Sequence, residues 1–575
     1  MIFDIEVNNR IIKARKGETI LSALNRSGIK VPTLCYMQEF LPTGNCRICV
    51  VEVEGKSNLI PACSHPVEEW MKIKTHSERV IKARKSLVEL LLMNHPNDCL
   101  YCVRNGSCEL QELSKELFIT EKRTAKNFSQ IKIDQSSSSI VRDISKCILC
   151  GRCIRICDEL QHINAIDFIH RGNKTMVAPS LNKPLNVSSC INCGQCIMVC
   201  PTGALTEKSQ ITKVQDALHK KDTNVIVYYS PSITLSLAEE FGLKPGKDVY
   251  GILNAALKKI GFKNVFDSGF AADMVIMEQA NELKERLENN ANIPLFTSSC
   301  SSWIQYAEQL APEVLPMIST CKSPQQMMGS IIKSFYAKEY HLQPENIYTV
   351  SIVPCTSKKF EALREEMTIK GISDVDAVIT TREIARLIRL YGIDINNIEI
   401  ENADEPFKSR SSAAKMFAFT GGTTEAILRT LAYQITGKES YNFKLNDSKL
   451  FKNRKEGKIK IGNYEIGVAI VNGIGNVSEI IEEIKAGRND LHLIEVMTCI
   501  GGCIEGGGQP IGLDEKSIKA QIKTIHEIDE NEIIKTAHKN PQIQYLYSSY
   551  FEKAGSEIAK RIIHTKYQCR NDINI

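Results

Sequence analysis

Apolar and polar positions alternate with a period of two from Ile2 to Val7 and again from Ile11 to Ala14, which predicts two short strands. The segment from Thr19 to Ser27 has helical spacing, Cys49 to Val53 reads as a further strand, and Glu78 to Leu92 reads as a longer helix. In the second half the rhythm changes. Short apolar runs at Val225 to Tyr229, Pro294 to Thr297, Tyr348 to Val353, Ile466 to Val471 and Leu491 to Val496 alternate with longer amphipathic segments, among them Asp273 to Glu288, Ser302 to Leu310 and Glu425 to Tyr433. That alternation predicts α/β architecture. Between the halves, the Ser136 to Ser139 run reads as a loop and the polar stretch Thr206 to Thr223 as a charged helix or linker. A chain of 575 residues is too long for one core, so the pattern describes several domains, α+β first and α/β after.

Bulk composition narrows the function classes. With 43% hydrophobic and 24% charged residues the chain reads as globular, and a net charge of +5 without a long basic, aromatic-interleaved stretch gives nucleic-acid binding no support. Met1 to Gly17 lacks the apolar core of a signal peptide, and no run reaches the roughly 18 apolar residues of a membrane span, so a cytoplasmic protein is expected. The 21 cysteines are the outlier. In a reducing compartment disulfides rarely persist, and metal ligation is the better reading. Fifteen cysteines lie before residue 201 and six follow.

The early cysteines form four groups. Cys35, Cys46, Cys49 and Cys63 suit a loop around a plant-type 2Fe-2S cluster, although the first gap is long and four thiolates also satisfy zinc. His95, Cys99, Cys102 and Cys108 form a three-cysteine group completed by an imidazole, a substitution that iron accepts in Rieske centres. Cys147, Cys150, Cys153 and Cys157 repeat as Cys190, Cys193, Cys196 and Cys200, followed by Pro201. This is bacterial ferredoxin spacing, in which the fourth cysteine crosses over, so the expected sets are Cys147, Cys150, Cys153 with Cys200, and Cys190, Cys193, Cys196 with Cys157. Four clusters in series serve electron transfer rather than folding. Residues 1 to 209 resemble the N-terminal part of the large iron-sulfur subunit of NADH:quinone oxidoreductases, a likeness that leaves the reaction open.

In the second half the cysteines fall at strand ends. Cys300 follows Pro294 to Thr297, Cys355 follows Tyr348 to Val353, and Cys499 and Cys503 follow Leu491 to Val496. Ligands of open α/β sheets bind beyond the carboxyl ends of strands, so three such ends can converge on one cluster. Gly501, Gly502 and Gly506 to Gly508 let the backbone approach a bulky inorganic group. The segments Thr297-Ser298-Ser299-Cys300-Ser301-Ser302-Trp303, Pro354-Cys355-Thr356-Ser357-Lys358-Lys359-Phe360-Glu361 and Glu495-Val496-Met497-Thr498-Cys499-Ile500-Gly501-Gly502-Cys503 resemble the three signatures of FeFe (iron-only) hydrogenases. With the accessory groups, the likeness covers essentially the whole chain.

The resemblance implies an enzyme interconverting H2, protons and electrons at an H-cluster, a 4Fe-4S cube joined to a diiron unit carrying CO, cyanide and a dithiolate. It implies that Cys300, Cys355, Cys499 and Cys503 bind the cube and that Cys503 also bridges to the diiron unit. By the same likeness Lys358 donates a charge-assisted hydrogen bond to cyanide, Pro231, Ser232, Gln325, Val353 and Met497 line the diiron pocket, and Ser319, Glu282 and Arg286 form the outer proton relay. The expected segments are a 2Fe-2S ferredoxin-like domain (1–78), a His/Cys3 4Fe-4S domain (79–125), a two-cluster ferredoxin domain (126–209) and an H-cluster domain (210–575). One 2Fe-2S cluster, three accessory 4Fe-4S clusters and the H-cluster follow, with ferredoxin or a similar carrier as electron partner and maturation proteins as builders of the diiron unit. Nineteen of the 21 cysteines are thereby used, leaving Cys321, read as a small buried residue, and Cys569.

Departures cluster near the reaction centre. Ser299 stands where active family members carry a proton-donating cysteine, and Gln279 where they carry a glutamate. An alcohol is far less acidic than a thiol and an amide does not titrate usefully, so both inner relay positions lack an acid. Val353 replaces a methionine and Ser230 an alanine. A modified, slowed hydrogenase is the first expectation. A hydrogen or redox sensor of low turnover and a non-catalytic iron-sulfur assembly protein are the alternatives.

Overall fold

The computed structural model describes residues 1–120, 133–289, 294–441, 443 and 453–570. Contacts divide the chain into two compact units, one of Met1–Asp158, Asn164–Ser188 and Val199–Thr206, the other of Glu159–Ile163, Ser189–Met198 and Glu207–Ile575. The border expected at 125/126 lies outside the described residues. Ser189–Met198, within the segment expected as 126–209, belongs to the second unit.

The first unit opens with a five-stranded sheet in the order Arg10–Arg15, Ile2–Val7, Lys72–Lys74, Val50–Val53, Ile60–Pro61. The helix Ile20–Arg26 is capped by the Thr19 hydroxyl, which accepts from the Ser22 amide at 3.2 Å, and lays Ile20, Leu21 and Leu24 against Ile5, Val7 and Val51. Thr19 and Ser27 are therefore the caps of the expected helix rather than part of it. The helix Glu78–Met93 buries Val88 with Leu110 and Leu113 of Glu109–Glu116 against Leu34 and Ile48, each buried aliphatic contributing about 1.5–3 kcal/mol. Its Arg84, fully buried, donates to the carbonyls of Ile48 (3.0 Å) and Val50 (2.8 Å). That pins the loop bearing Cys46 and Cys49.

The second unit holds two four-stranded sheets. In one, Asn264–Asp267, Asn224–Tyr229, Ile347–Val353 and Ala377–Thr380 run parallel in that order. In the other, Leu295–Phe296, Leu493–Met497 and Tyr464–Asn472 run parallel and Arg454–Ile461 closes the edge antiparallel. Inner strands are buried on both faces, which is why they read as continuous apolar runs. The edge strand, RKEGKIKI, carries charge along its length and gives no such signal.

Two expectations need adjustment. Thr206 to Thr223 resolves into the end of the strand Leu205–Glu207 and the helix Ile211–His219. The helix expected from Asp273 starts at Gly269, and Asp273 is an interior residue whose carboxylate accepts from the Ser411 amide (2.8 Å), the Ser411 hydroxyl and Asn540 Nδ2 (2.9 Å). The chain's last segment is part of this core, since Ile543, Tyr547, Phe551 and Ile563 pack with Phe270, Met274 and Met328. No helix among the described residues is long and apolar enough to cross a membrane.

Candidate metal centre and its surroundings

Each of the three strand ends delivers its cysteine to the same place. Cys300, Cys355, Cys499 and Cys503 line one cavity of about 840 Å³, together with Ser230, Pro231, Ser299, Gln325, Val353, Lys358 and Met497. The loop after Leu493–Met497 closes because its glycines allow contact between backbones. Gly502 sits at φ +79, and a Cβ on Gly506 would stand 2.3 Å from the Pro354 carbonyl oxygen.

The thiols have neighbouring polar groups. Cys300 Sγ lies 3.3 Å from Thr498 Oγ1 and Cys355 Sγ 3.0 Å from Ser357 Oγ, while Gln195 Nε2 donates to Cys499 Sγ at 3.1 Å and to the Glu505 carbonyl at 2.9 Å. Gln195 belongs to Ser189–Met198, and the fit there is close: a Cβ on Gly507 would stand 2.3 Å from the Cys193 carbonyl oxygen. Burial pushes Cys355 and Cys499 up and Cys503 up to about 12, and the neighbouring thiols push in the same direction. Lys358 opposes this at Cys355 and Cys503. Thiolates in such a place need a further cation, which iron supplies on ligation. Ser299 Oγ and Gln325 Oε1 are buried without a hydrogen-bond partner. Four thiols, one ammonium and unmatched polar atoms around a single cavity fit an iron-sulfur cube with an adjoining acceptor-bearing group.

Lys358 Nζ donates to the Ser299 carbonyl at 3.0 Å and to both Glu361 carboxylate oxygens at 2.9 Å. Glu361 also accepts from Ser323 Oγ at 2.8 Å and Gln325 Nε2 at 3.2 Å. Ser232 does not line the cavity. It is buried behind Ser230, hydroxyl to hydroxyl at 3.4 Å. Gln279 Nε2 donates to Ser298 Oγ at 3.1 Å, and Ser298 Oγ donates to the Cys321 carbonyl at 2.7 Å. Glu282 accepts from the Thr320 hydroxyl (2.6 Å) and amide (3.2 Å), whereas Ser319 Oγ accepts from the Cys321 amide (3.2 Å). Arg286 is committed to the carbonyls of Pro294 (2.6 Å) and Met317 (3.2 Å). Sequence reasoning missed Glu361 and Gln195. Their signals were present, the first as the i+3 partner of Lys358 and the second between two cysteines.

Among the accessory groups, Cys147, Cys150, Cys153 and Cys200 line one cavity of about 450 Å³. Cys35 and Cys46 lie side by side, as do Cys49 and Cys63, and the Cys46 thiol holds Cys35 down at about 5. His95, Cys99 and Cys108 share another cavity. His95 Nδ1 lies 3.0 Å from the Pro96 carbonyl, which can only accept, so Nδ1 donates and the Nε2 lone pair is the one suited to a metal. Cys102 is absent from that cavity's lining and its sulfur packs against Gly203. Cys157 lies in the first unit and Cys190, Cys193 and Cys196 in the second.

Strand-end cysteines around one cavity, preceded by ferredoxin-like cysteine runs, define a multi-cluster iron-sulfur redox protein. Comparison with known proteins makes this specific: the chain belongs to the iron-only hydrogenase family. Residues 223–507 match the iron only hydrogenase large subunit, C-terminal domain, and 515–570 the iron hydrogenase small subunit. Residues 3–78 match a 2Fe-2S iron-sulfur cluster binding domain, 84–123 the NADH-ubiquinone oxidoreductase-G iron-sulfur binding region, and 137–206 the ferredoxin-like domain of NADH-quinone oxidoreductase subunit 3. The chain is 40% identical to the NADP-reducing hydrogenase subunit HndD of Solidesulfovibrio fructosivorans, over 98% of each. It is 37% identical to iron hydrogenase 1 of Clostridium pasteurianum, over 98% of this chain and 99% of that one. The solved structure of apo FeFe-hydrogenase HydA1 from Chlamydomonas reinhardtii superimposes with a TM-score of 0.58 at 29% identity, covering 63% of this chain and 99% of its own.

Proposed function

We propose that this chain interconverts H2 with protons and electrons at an H-cluster held by Cys300, Cys355, Cys499 and Cys503, in the cytoplasm, and exchanges the electrons with ferredoxin or a similar carrier. The convergence of those four thiols on one cavity beside Lys358 is the observation that carries the reading. When bound, the diiron unit supplies the site at which H2 is split and formed. Cys503 would be the protein ligand that holds it. Lys358, held in place by Glu361, donates toward cyanide. Pro231, Gln325, Val353 and Met497 shape the wall, and Ser232 supports Ser230 from behind.

One 2Fe-2S cluster would be held by Cys35, Cys46, Cys49 and Cys63, and three 4Fe-4S clusters by His95 with Cys99, Cys102 and Cys108, by Cys147, Cys150, Cys153 and Cys200, and by Cys157, Cys190, Cys193 and Cys196; when bound they would supply the electron path. The segments 1–78, 79–125, 126–209 and 210–575 divide this labour. Maturation proteins supply the diiron unit. Proton delivery is altered, because Ser299 and Gln279 put no acid at the inner positions while Ser319, Glu282 and Arg286 stay outside them. The name of the HndD relative supports a second electron partner, a nicotinamide-linked subunit.

Infrared spectroscopy of anaerobically matured protein, paired with hydrogen evolution from a reduced low-potential dye, tests the reading. Bands of bound CO and cyanide together with turnover are expected. Bands without turnover would make the chain a sensor, and their absence would leave an assembly protein.

A further inference from the structure

We propose that Glu282, Cys321 and His564 form a binding site for a borderline-soft divalent cation of the zinc type, separate from every cluster group, which clasps the last segment of the chain to the helix Gly269–Glu288. The inference does not depend on the hydrogen-converting reading above, and it gives a role to the one buried cysteine that no cluster uses.

Backbone pairing builds the site. The Lys322 amide donates to the Ile563 carbonyl at 2.9 Å and the Thr565 amide to the Thr320 carbonyl at 2.8 Å, which makes Cys321 and His564 the facing residues of an antiparallel bridge. They are the pair without mutual hydrogen bonds, the arrangement that holds facing side chains closest, with Cα atoms about 4.5 Å apart as a rule. Glu278 and Glu282 stand about one turn apart on the helix and share a face. That face meets the imidazole with one carboxylate for each nitrogen: Glu278 Oε2 lies 3.1 Å from Nε2 and Glu282 Oε1 3.6 Å from Nδ1. The Cys321 sulfur, one Glu282 carboxylate oxygen and one His564 ring nitrogen all lie within 4.8 Å of one another. Ligand atoms around tetrahedral zinc are roughly 3.3–3.8 Å apart, so closing on a cation takes movements of about 1 Å.

Hydrogen-bond accounting shows what is missing. Glu278 accepts from the Tyr547 hydroxyl at 2.6 Å and the Gly555 amide at 2.8 Å, and its third close contact is met by a proton on His564 Nε2. In a neutral ring that leaves Nδ1 with a lone pair, the carboxylate–histidine arrangement that turns the other nitrogen toward a metal. Thr320 Oγ1 has one proton for two neighbours, Glu282 Oε1 at 2.6 Å and Nδ1 at 2.7 Å, so the remaining contact sets lone pair against lone pair. Glu282 Oε2 is buried with no hydrogen-bond partner. Arg286, one turn further along, spends its hydrogen bonds on the Pro294 and Met317 carbonyls. An unmatched carboxylate oxygen, a nitrogen lone pair and a sulfur around one point call for a positive charge.

A divalent cation balances the Glu282 carboxylate and a Cys321 thiolate, which leaves the three ligands and the metal neutral together. Burial and the two carboxylates push the free thiol well up, so without a cation it keeps its proton. On binding the S–H bond breaks, the sulfur–metal bond forms and the proton leaves to the buffer. Cys321 is fully buried and Glu282 only partly, so the cation enters from the Glu282 side, where a water completes four-coordination. Sulfur, imidazole and carboxylate in one set suit zinc, whereas hard cations prefer oxygen alone.

The test uses the iron-loaded full chain and zinc chloride as the probe. Equilibrium dialysis should show about one zinc per chain with the iron content unchanged, and the zinc-edge X-ray absorption spectrum should show a single sulfur at about 2.3 Å beside nitrogen and oxygen at about 2.0–2.2 Å. Cys321→Ser and His564→Gln should each weaken binding about a hundredfold or more, and Glu278→Gln, which only orients the ring, about tenfold. Zinc should raise the melting temperature of the parent and leave that of Cys321→Ser unmoved. No uptake, uptake equal in the parent and Cys321→Ser, or an all-sulfur shell, which would place the metal in a cluster group, overturns the proposal. The parent's spectrum needs no variant, so it decides the matter even if a substitution at the buried Cys321 prevents folding.

Discussion

The outermost thiol of the first unit and the cavity thiols of the second live under opposite conditions. In the first unit Cys99 is exposed, with Leu100 and Tyr101 beside it 86% and 90% exposed, and the Cys35 thiol is held low by its neighbour Cys46. In the second, Cys355, Cys499 and Cys503 lie where burial raises every one of them. A stage that passes electrons to an outside partner must come near the surface, because the partner stops there. A stage that handles H2 gains from excluding water, because each polar interaction inside then counts for more. One element is thus used under two solvation regimes within a single chain.

The sharpest way to break this contrast is Cys503→Ala. It should abolish the CO and cyanide infrared bands outright while the relay's paramagnetic signals persist, and a normal set of bands would show that the second unit's thiols do not hold the diiron unit. Next in size is the inner proton route. Ser299→Cys with Gln279→Glu should raise dye-driven hydrogen evolution by about tenfold or more, above the product of the single effects, since two blocks in series are removed. A fully loaded double variant that gains nothing would place the limit elsewhere.

A smaller change is expected from the exposed end. His95→Ala should remove or alter one 4Fe-4S signal and slow carrier-driven turnover, yet leave the CO and cyanide bands as they are. An unchanged paramagnetic spectrum would return His95 to a structural role. The smallest effect concerns the burial cost itself. Burial raises Asp273 to about 6 despite the bonds from Ser411 and Asn540. A folded-state value above the unfolded one means that stability is full below about pH 4 and is lost as pH rises through 6, by an amount on the order of 3 kcal/mol. Asp273→Asn should flatten denaturant midpoints between about pH 4 and pH 6, and an unaltered pH slope would show that the cost is not there.

What could be read from the residues follows the same division. Cysteine spacing is a local property, so the ligand groups and the strand ends that carry Cys300, Cys355 and Cys499 stood out. Inner strands were visible because both faces are apolar, but Ala377–Thr380 is only four residues long and Arg454–Ile461 is a charged edge. The helix was expected to begin at Asp273, and only tertiary partners show that residue to be interior. Cys321 and His564 lie 243 residues apart (564 − 321), and nothing in either neighbourhood announces their meeting. Ser189–Met198 was read as one with its ferredoxin-like repeat, while its contacts tie it to the Thr356 and Glu505 loops.

That last attachment bears on how fast an electron can tunnel into the reaction centre. Tunnelling rates decay exponentially with the gap between donor and acceptor, and on the proposed ligand sets that gap would be set by backbone lying on backbone, with Gly507 against Cys193 and Gln195 bonded to Cys499. A methyl group at position 507 has no room and would wedge the two loops apart. The absence of a side chain at one glycine therefore acts as a spacer of minimum thickness, and in the proposed relay it would write the step length of the final electron hop into the chain as something left out.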